Sequence, residues 1–167
     1  LSSAASDVYK RQVFNSSTPL SIDLQIDEQS PTVTLEPGTF SDLDSNDLQD
    51  VPVTIHITDD YGVSERGAKV HWCYVRAGKV VEGSIGEKYL DSIGTTGEIT
   101  SFQTILDVEQ TGISFEKSDR LSVWFSHQDR SGNVMVGEAT EFSPLEVYVV
   151  WMAFEPIPVS IEATPYR

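Results

Sequence analysis

The run VPVTIHIT, residues 51–58, decides the class of the fold. Val51, Val53, Ile55 and Ile57 occupy every second position, with Thr54, His56 and Thr58 between them. Successive side chains of a strand point to opposite faces, so this pattern predicts a strand with one apolar and one wet face. A helix would need apolar residues three and four apart, and no stretch of this chain sustains that spacing over three turns.

The same alternation recurs on either side. AKVHWCYV at 68–75 groups Val70, Trp72 and Tyr74, and RLSVWFSHQD at 120–129 groups Leu121, Val123 and Phe125. PTVTL at 31–35, ITSFQTILDV at 99–108 (of mixed phase) and LEVYVVWM at 145–152 read as further strands. KVVEG and EKYLDSI read as short edge strands. The connectors EPG, SDLDSNDLQD, TDDYG, RAGK, GTTGE, EQTG and DRSGN are rich in residues that supply positive φ or bond their own backbone. About seven short strands punctuated in this way predict an all-β fold, an antiparallel immunoglobulin-like β-sandwich. Its core is expected to hold Val53, Ile55, Ile57, Val70, Trp72, Tyr74, Leu121, Val123 and Phe125.

Charge narrows the partners. Eleven Lys and Arg stand against 26 Asp and Glu, a net charge of -15. A surface this acidic repels nucleic acid, so none is expected as a partner. The longest apolar run, VYVVWMAF at 147–154, has strand length, so no membrane insertion is expected within the fragment. Cys73 is the one cysteine, which excludes an internal disulfide.

The ends read as joints. SSAASDVYKRQ at 2–12 resembles a translated sequencing adaptor, so residues 1–12 are set aside as an artefact and the rest is expected to be a piece of a longer protein. Residues 13–25 read as a connector or the last strand of a preceding module, and 26–153 as the sandwich. Residues 154–167, with Pro156, Pro158 and Pro165, read as a stiff connector and the first strand of a following module.

Three segments in order carry a family resemblance. IDEQSPTVTL at 26–35 is similar to a D-x-x-x-P-T-V-T opening, ITDDYGV at 57–63 to a T-D-D-x-G-V strand end, and SHQDRSGNV at 126–134 to an A-x-D-x-x-G-N hairpin. Together they resemble prokaryotic immunoglobulin-like repeats. Gln29-Ser30 departs from that pattern, and 77–98 is longer than the family's middle strands. The resemblance implies an extracellular or cell-surface protein built of tandem modules, in which each acts as a spacer, stalk or adhesion unit.

The chain holds no G-x-S-x-G, no Walker A, no H-E-x-x-H and no paired Cys. By strand parity His56 and His71 point away from the core on different sheets, and His127 shares the inward parity of Phe125. These directions do not converge on one metal, and no enzymatic activity is expected.

Acidic residues offer more. In a sandwich the loops before the first strand, after the second and before the last lie at one pole. That pole would collect Asp27, Glu28, Asp59, Asp60, Asp129 and Asn133, the hard oxygen donors that Ca²⁺ takes. The same residues are also turn formers, needed by the corners and hairpin they occupy. Asp42, Asp44, Asn46 and Asp50 copy four offsets of an EF-hand loop. The sixth position is Asp47 rather than Gly, though, and the twelfth is Val53 rather than Glu, so a solvated acidic loop is expected. No other cofactor is implied.

Trp124 lies on the face opposite Phe125, placed to stack on a sugar or to pack against a neighbouring module; Trp72 is expected in the core. The functional expectation is a non-catalytic structural or adhesion module of a multidomain surface or secreted protein. Its partners would be neighbouring modules, or protein or glycan at the cell surface. The alternatives are a Ca²⁺- or glycan-binding module, or an accessory domain of a secreted hydrolase.

Overall fold

The computed structural model describes residues 26–41 and 43–151. The expectations for 1–12, 13–25 and 154–167, and for Asp42, lie outside the described residues. The chain is all-β, and the described residues form ten strands and a 3-10 turn at Val108–Thr111. The strands are β1 (Thr32–Leu35), β2 (Val51–Thr58), β3 (Lys69–Arg76), β4 (Lys79–Val80) and β5 (Gly86–Tyr89). They continue with β6 (Asp91–Thr96), β7 (Ile99–Leu106), β8 (Arg120–Ser126), β9 (Val136–Gly137) and β10 (Leu145–Val147).

Two sheets pack face to face. The first runs β6-β7-β2-β1-β9 and the second β10-β8-β3-β4, with β5 pairing the other half of the same β3 edge. The opening run forms β2 over its whole length, and Val51, Val53, Ile55 and Ile57 are all buried. They meet Val70, Trp72, Tyr74, Leu121, Val123 and Phe125 from the second sheet, as parity predicts. The mixed phase of 99–108 resolves with Phe102 and Leu106 inward. Burying each such aliphatic or aromatic side chain stabilises the fold by about 1.5–3 kcal/mol before entropy is counted.

Two polar atoms of the core aromatics are satisfied at one point. The indole N–H of Trp72 and the hydroxyl of Tyr74 both donate to the carbonyl of Val108, at 3.0 and 2.8 Å. That carbonyl opens the 3-10 turn, which Asp107 caps by accepting from the Glu109 amide.

Three features differ from the sequence reading. Against the expected seven or so strands the described residues form ten: the short edge strands read in KVVEG and EKYLDSI are present as β4 and β5, while β6 beside β7 and the two-residue β9 ahead of the last strand are additional. The pairing is not wholly antiparallel: β9 runs parallel to β1, Thr32 opposite Val136. After β8 the chain first lies along β1 and then crosses to the other sheet, where Leu145–Val147 pairs with β8. The strand expected over 145–152 therefore ends at Val147, apart from an isolated bridge between Asp44 and Val150. The acidic loop 41–50 is also not merely solvated, because Leu43 and Leu48 anchor it in the core.

Candidate metal centre at the N-terminal pole

Three chain segments meet at the end of the sandwich where β1 begins. The segment before β1 brings Asp27, the loop after β2 brings Asp59 and Asp60, and the hairpin after β8 brings Asp129 and Asn133. Each is held by local backbone bonding. Asp27 Oδ1 accepts from the Gln29 amide at 2.9 Å, and Asp59 Oδ1 accepts from the Tyr61 amide at 3.0 Å. Both are short Asx turns, formed because a carboxylate two residues back replaces a backbone acceptor.

These turns use one oxygen of each carboxylate and leave the other aimed inward. Asp27 and Asp59 are only 9% and 5% exposed, and the Oδ2 atom of each is buried with no hydrogen-bond partner. Oxygens of Asp27, Asp59 and the exposed Asp60 lie within 4.8 Å of one another. A buried acceptor left unpaired costs about 1–3 kcal/mol, more when charged. Burial accordingly raises the Asp59 carboxyl above its usual 3.8, and the charges of Asp27, Asp129 and Asp60 push it the same way against the Tyr61 hydrogen bond.

Asp129 and Asn133 play another part. Asp129 Oδ1 accepts from the Gly132 and Asn133 amides, and its Oδ2 accepts from the Asn133 side chain at 2.8 Å. Burial pulls the Asp129 carboxyl up, but these donors outweigh it and the net movement is down. Asn133 Nδ2 also donates to the Asp27 carbonyl at 3.2 Å, which fixes the amide nitrogen on that side. Asn133 is thus a bracket tying the entering chain to the hairpin, and Asp129 supplies charge. Glu28 is exposed and outside the convergent group.

Of the six residues the sequence grouped at this pole, the structure converges the carboxylates of three, Asp27, Asp59 and Asp60. Among the described residues no other group of three acidic, His or Cys side chains converges in this way. Three short-range acids with free oxygens fit a hard cation. Ca²⁺ takes 6–8 oxygens in flexible geometry, the remainder coming from carbonyls and water.

His127 was legible only in part. Its inward parity is right, and it packs beside Phe102 with 4% exposure. Neither ring nitrogen has a well-formed hydrogen bond, and burial pushes the imidazole down from its ordinary 6.5. The Gly67 backbone and the Asp129 charge pull it the other way without a full bond forming.

On the outer face of the second sheet Trp124 is half-buried and stacked on His71, ring centroids 5.4 Å apart at 9°. His71 Nε2 pairs with Ser126 Oγ at 2.7 Å, and His71 Nδ1 lies 3.6 Å from Glu87. Glu87 is held instead by Lys69 at 2.8 Å, and 3.6 Å is too long to orient the ring, so this trio is assigned no catalytic role. His56 sits on the other sheet with Ser101 and Glu36. Parity alone did not expose the Arg76–Asp119 pair, whose bidentate bonds of 2.7 and 2.8 Å tie β3 to the loop before β8. A scan of protein-family models and a search of curated proteins found no match to this chain.

Proposed function

We propose that this sandwich is a non-catalytic immunoglobulin-like module of a multidomain cell-surface or secreted protein, a spacer or interaction domain whose N-terminal pole binds Ca²⁺. The observation that carries the cation is the pair of buried, unpartnered Oδ2 atoms on Asp27 and Asp59. Strand order supports the immunoglobulin-like part of this reading. Reading β1, β2, β7 and β6 as A, B, E and D, and β10, β8 and β3 as G, F and C, reproduces the two immunoglobulin sheets.

The cation has a mechanical role in this reading. It joins the segment entering the module to the β2–β3 loop and neutralises three carboxylates that otherwise repel. The entering chain is then fixed in direction, which is what a spacer requires.

Thermal unfolding of the whole chain in physiological NaCl, with Ca²⁺ or Mg²⁺ added to chelator-treated protein, tests it. A ligand at about a hundred times its Kd stabilises by about 2.7 kcal/mol. For a domain this size that raises Tm by roughly 5–10 °C. Mg²⁺, which surrenders water reluctantly, is expected to do less. An unchanged Tm in saturating Ca²⁺ ends the proposal.

A further inference from the structure

The outer face of the second sheet carries aromatic side chains, and the chain covers two of them with its own cations. Lys69 lies over Tyr89 at 4.6 Å, and Arg120 lies over Tyr148 at 5.4 Å. Trp124 stands between them with no cation over it among the described residues. It lines instead a cleft of about 310 Å³ together with His71, Ser126, Thr140, Glu141 and Phe142.

Phe142 is 95% exposed. It is not on a loose tail: Thr140 and Ser143 bond each other's backbone in both directions, at 3.2 and 3.1 Å, closing a two-residue turn. The turn holds Glu141 and Phe142 at its tip, beside the Trp124 indole. A large apolar ring presented so fully on a closed turn is the kind of exposure that marks a contact site.

The cleft's polar groups narrow the occupant. The Ser126 hydroxyl is taken by His71, and the Thr140 hydroxyl accepts from the Ser143 amide. Burial moves the His71 pKa down from its ordinary 6.5, against the pull of Glu87. A sugar needs several convergent donors and acceptors, and each of the two hydroxyls at this cleft already holds a bond within the fold. Glu141 adds a carboxylate to the lining beside Trp124 and Phe142, on a molecule of net charge -15. A planar guanidinium stacks on aromatic faces and pairs with a carboxylate at once.

We propose that the cleft between Trp124 and Phe142 seats an arginine side chain presented by a partner polypeptide, with Glu141 as its counter-charge. The site is separate from the cation pole and does not depend on it.

The test titrates the whole chain with N-acetyl-arginine amide, N-acetyl-citrulline amide and methyl glucoside at constant ionic strength. The readouts are the Trp124 indole N–H and the Glu141 and Phe142 amides in two-dimensional NMR. Citrulline has the shape of arginine without its charge. Saturable shifts at these three groups are expected for the arginine probe, roughly fivefold weaker for citrulline. Binding is also expected to weaken roughly threefold in Glu141→Gln and in Phe142→Ala, exposed positions whose substitution leaves the core intact. The proposal is overturned by equal citrulline binding, by saturable glucoside binding without arginine binding, by arginine shifts indifferent to both substitutions, or by no saturable shift.

Discussion

Trp72 is the largest fully buried side chain among the described residues. It is fully buried, its N–H is satisfied by Val108, and it lies directly over Gly86 on the neighbouring strand. A Cβ added at Gly86 would come within 2.2 Å of the indole, so glycine stands there because the ring takes its space. Trp72→Ala is expected to cost about 3–5 kcal/mol in urea unfolding, through cavity and transfer terms together. Gly86→Ala is expected to cost about 1–3 kcal/mol by overpacking the same spot. Asp59 works in the opposite sense, because its buried charge opposes folding. Asp59→Asn removes that charge and brings an amide able to donate to Asp27, so the variant should melt higher in chelator, by about 1 kcal/mol, and lose its response to Ca²⁺. Two buried groups at this end of the sandwich, His127 and Asp59, also respond to pH with opposite signs. His127 is depressed below its usual 6.5 in the fold, so the unfolded chain binds more protons and stability falls as pH drops from 6.5 through the depressed value. Asp59 is raised above 3.8, so the fold binds more protons and stability recovers as pH drops through the raised value toward 3.8. Melting of the calcium-free protein against pH should show the first effect vanish in His127→Leu and the second in Asp59→Asn.

At the scale of elements, strand position was legible wherever one face is buried and the other wet. β2, β3 and β8 announce themselves by strict alternation, since a one-residue slip would turn every apolar side chain to water. The edge elements gave no such signal. β4, β5 and β6 are short and mostly exposed, so their residues are set by turn geometry rather than by a core. The short strand β9 was hidden for another reason. Val136–Gly137 joins β1 because Gly137 lets the two backbones approach, a Cβ there falling 2.7 Å from Val33 Cγ1. Sequence periodicity cannot show which neighbour a two-residue strand will choose. Gly137→Val should therefore detach β9 from β1 at a cost of about 1–3 kcal/mol. Hydrogen exchange would report it: the Val136 amide, which donates to Pro31 at 2.9 Å, should lose protection while the β8–β10 ladder keeps its own. Equal loss along both would contradict the separate placement of β9 and β10.

For the molecule as a whole, the excess of acid sets the background against which any specific cation effect is read. Self-repulsion of 26 carboxylates against 11 cations is screened by simple salt, so NaCl is expected to raise Tm modestly. The pole is different, because its two critical oxygens are buried and diffuse ions screen them poorly. Ca²⁺ should add its stabilisation on top of saturating NaCl in the native chain, and in Asp59→Asn only the NaCl effect should remain. Loss of both in the variant would mean that the calcium response was general screening.

By itself the sequence determined the all-β class, the inward faces of the central strands and the loops that gather at one pole. These follow from period-two patterning and turn chemistry, which are local properties of the chain. Only the tertiary structure decided which of six candidate polar residues converge. Glu28 turns out to water, Asn133 becomes a bracket, and Asp27, Asp59 and Asp60 draw together. The tertiary structure alone also left the second oxygen of Asp27 and Asp59 unpaired, stacked Trp124 on His71, and lifted Phe142 beside it. Sequence shows where a carboxylate lies along its strand. Whether its lone pairs find a donor depends on residues up to a hundred positions away, brought near only by the closing of two sheets.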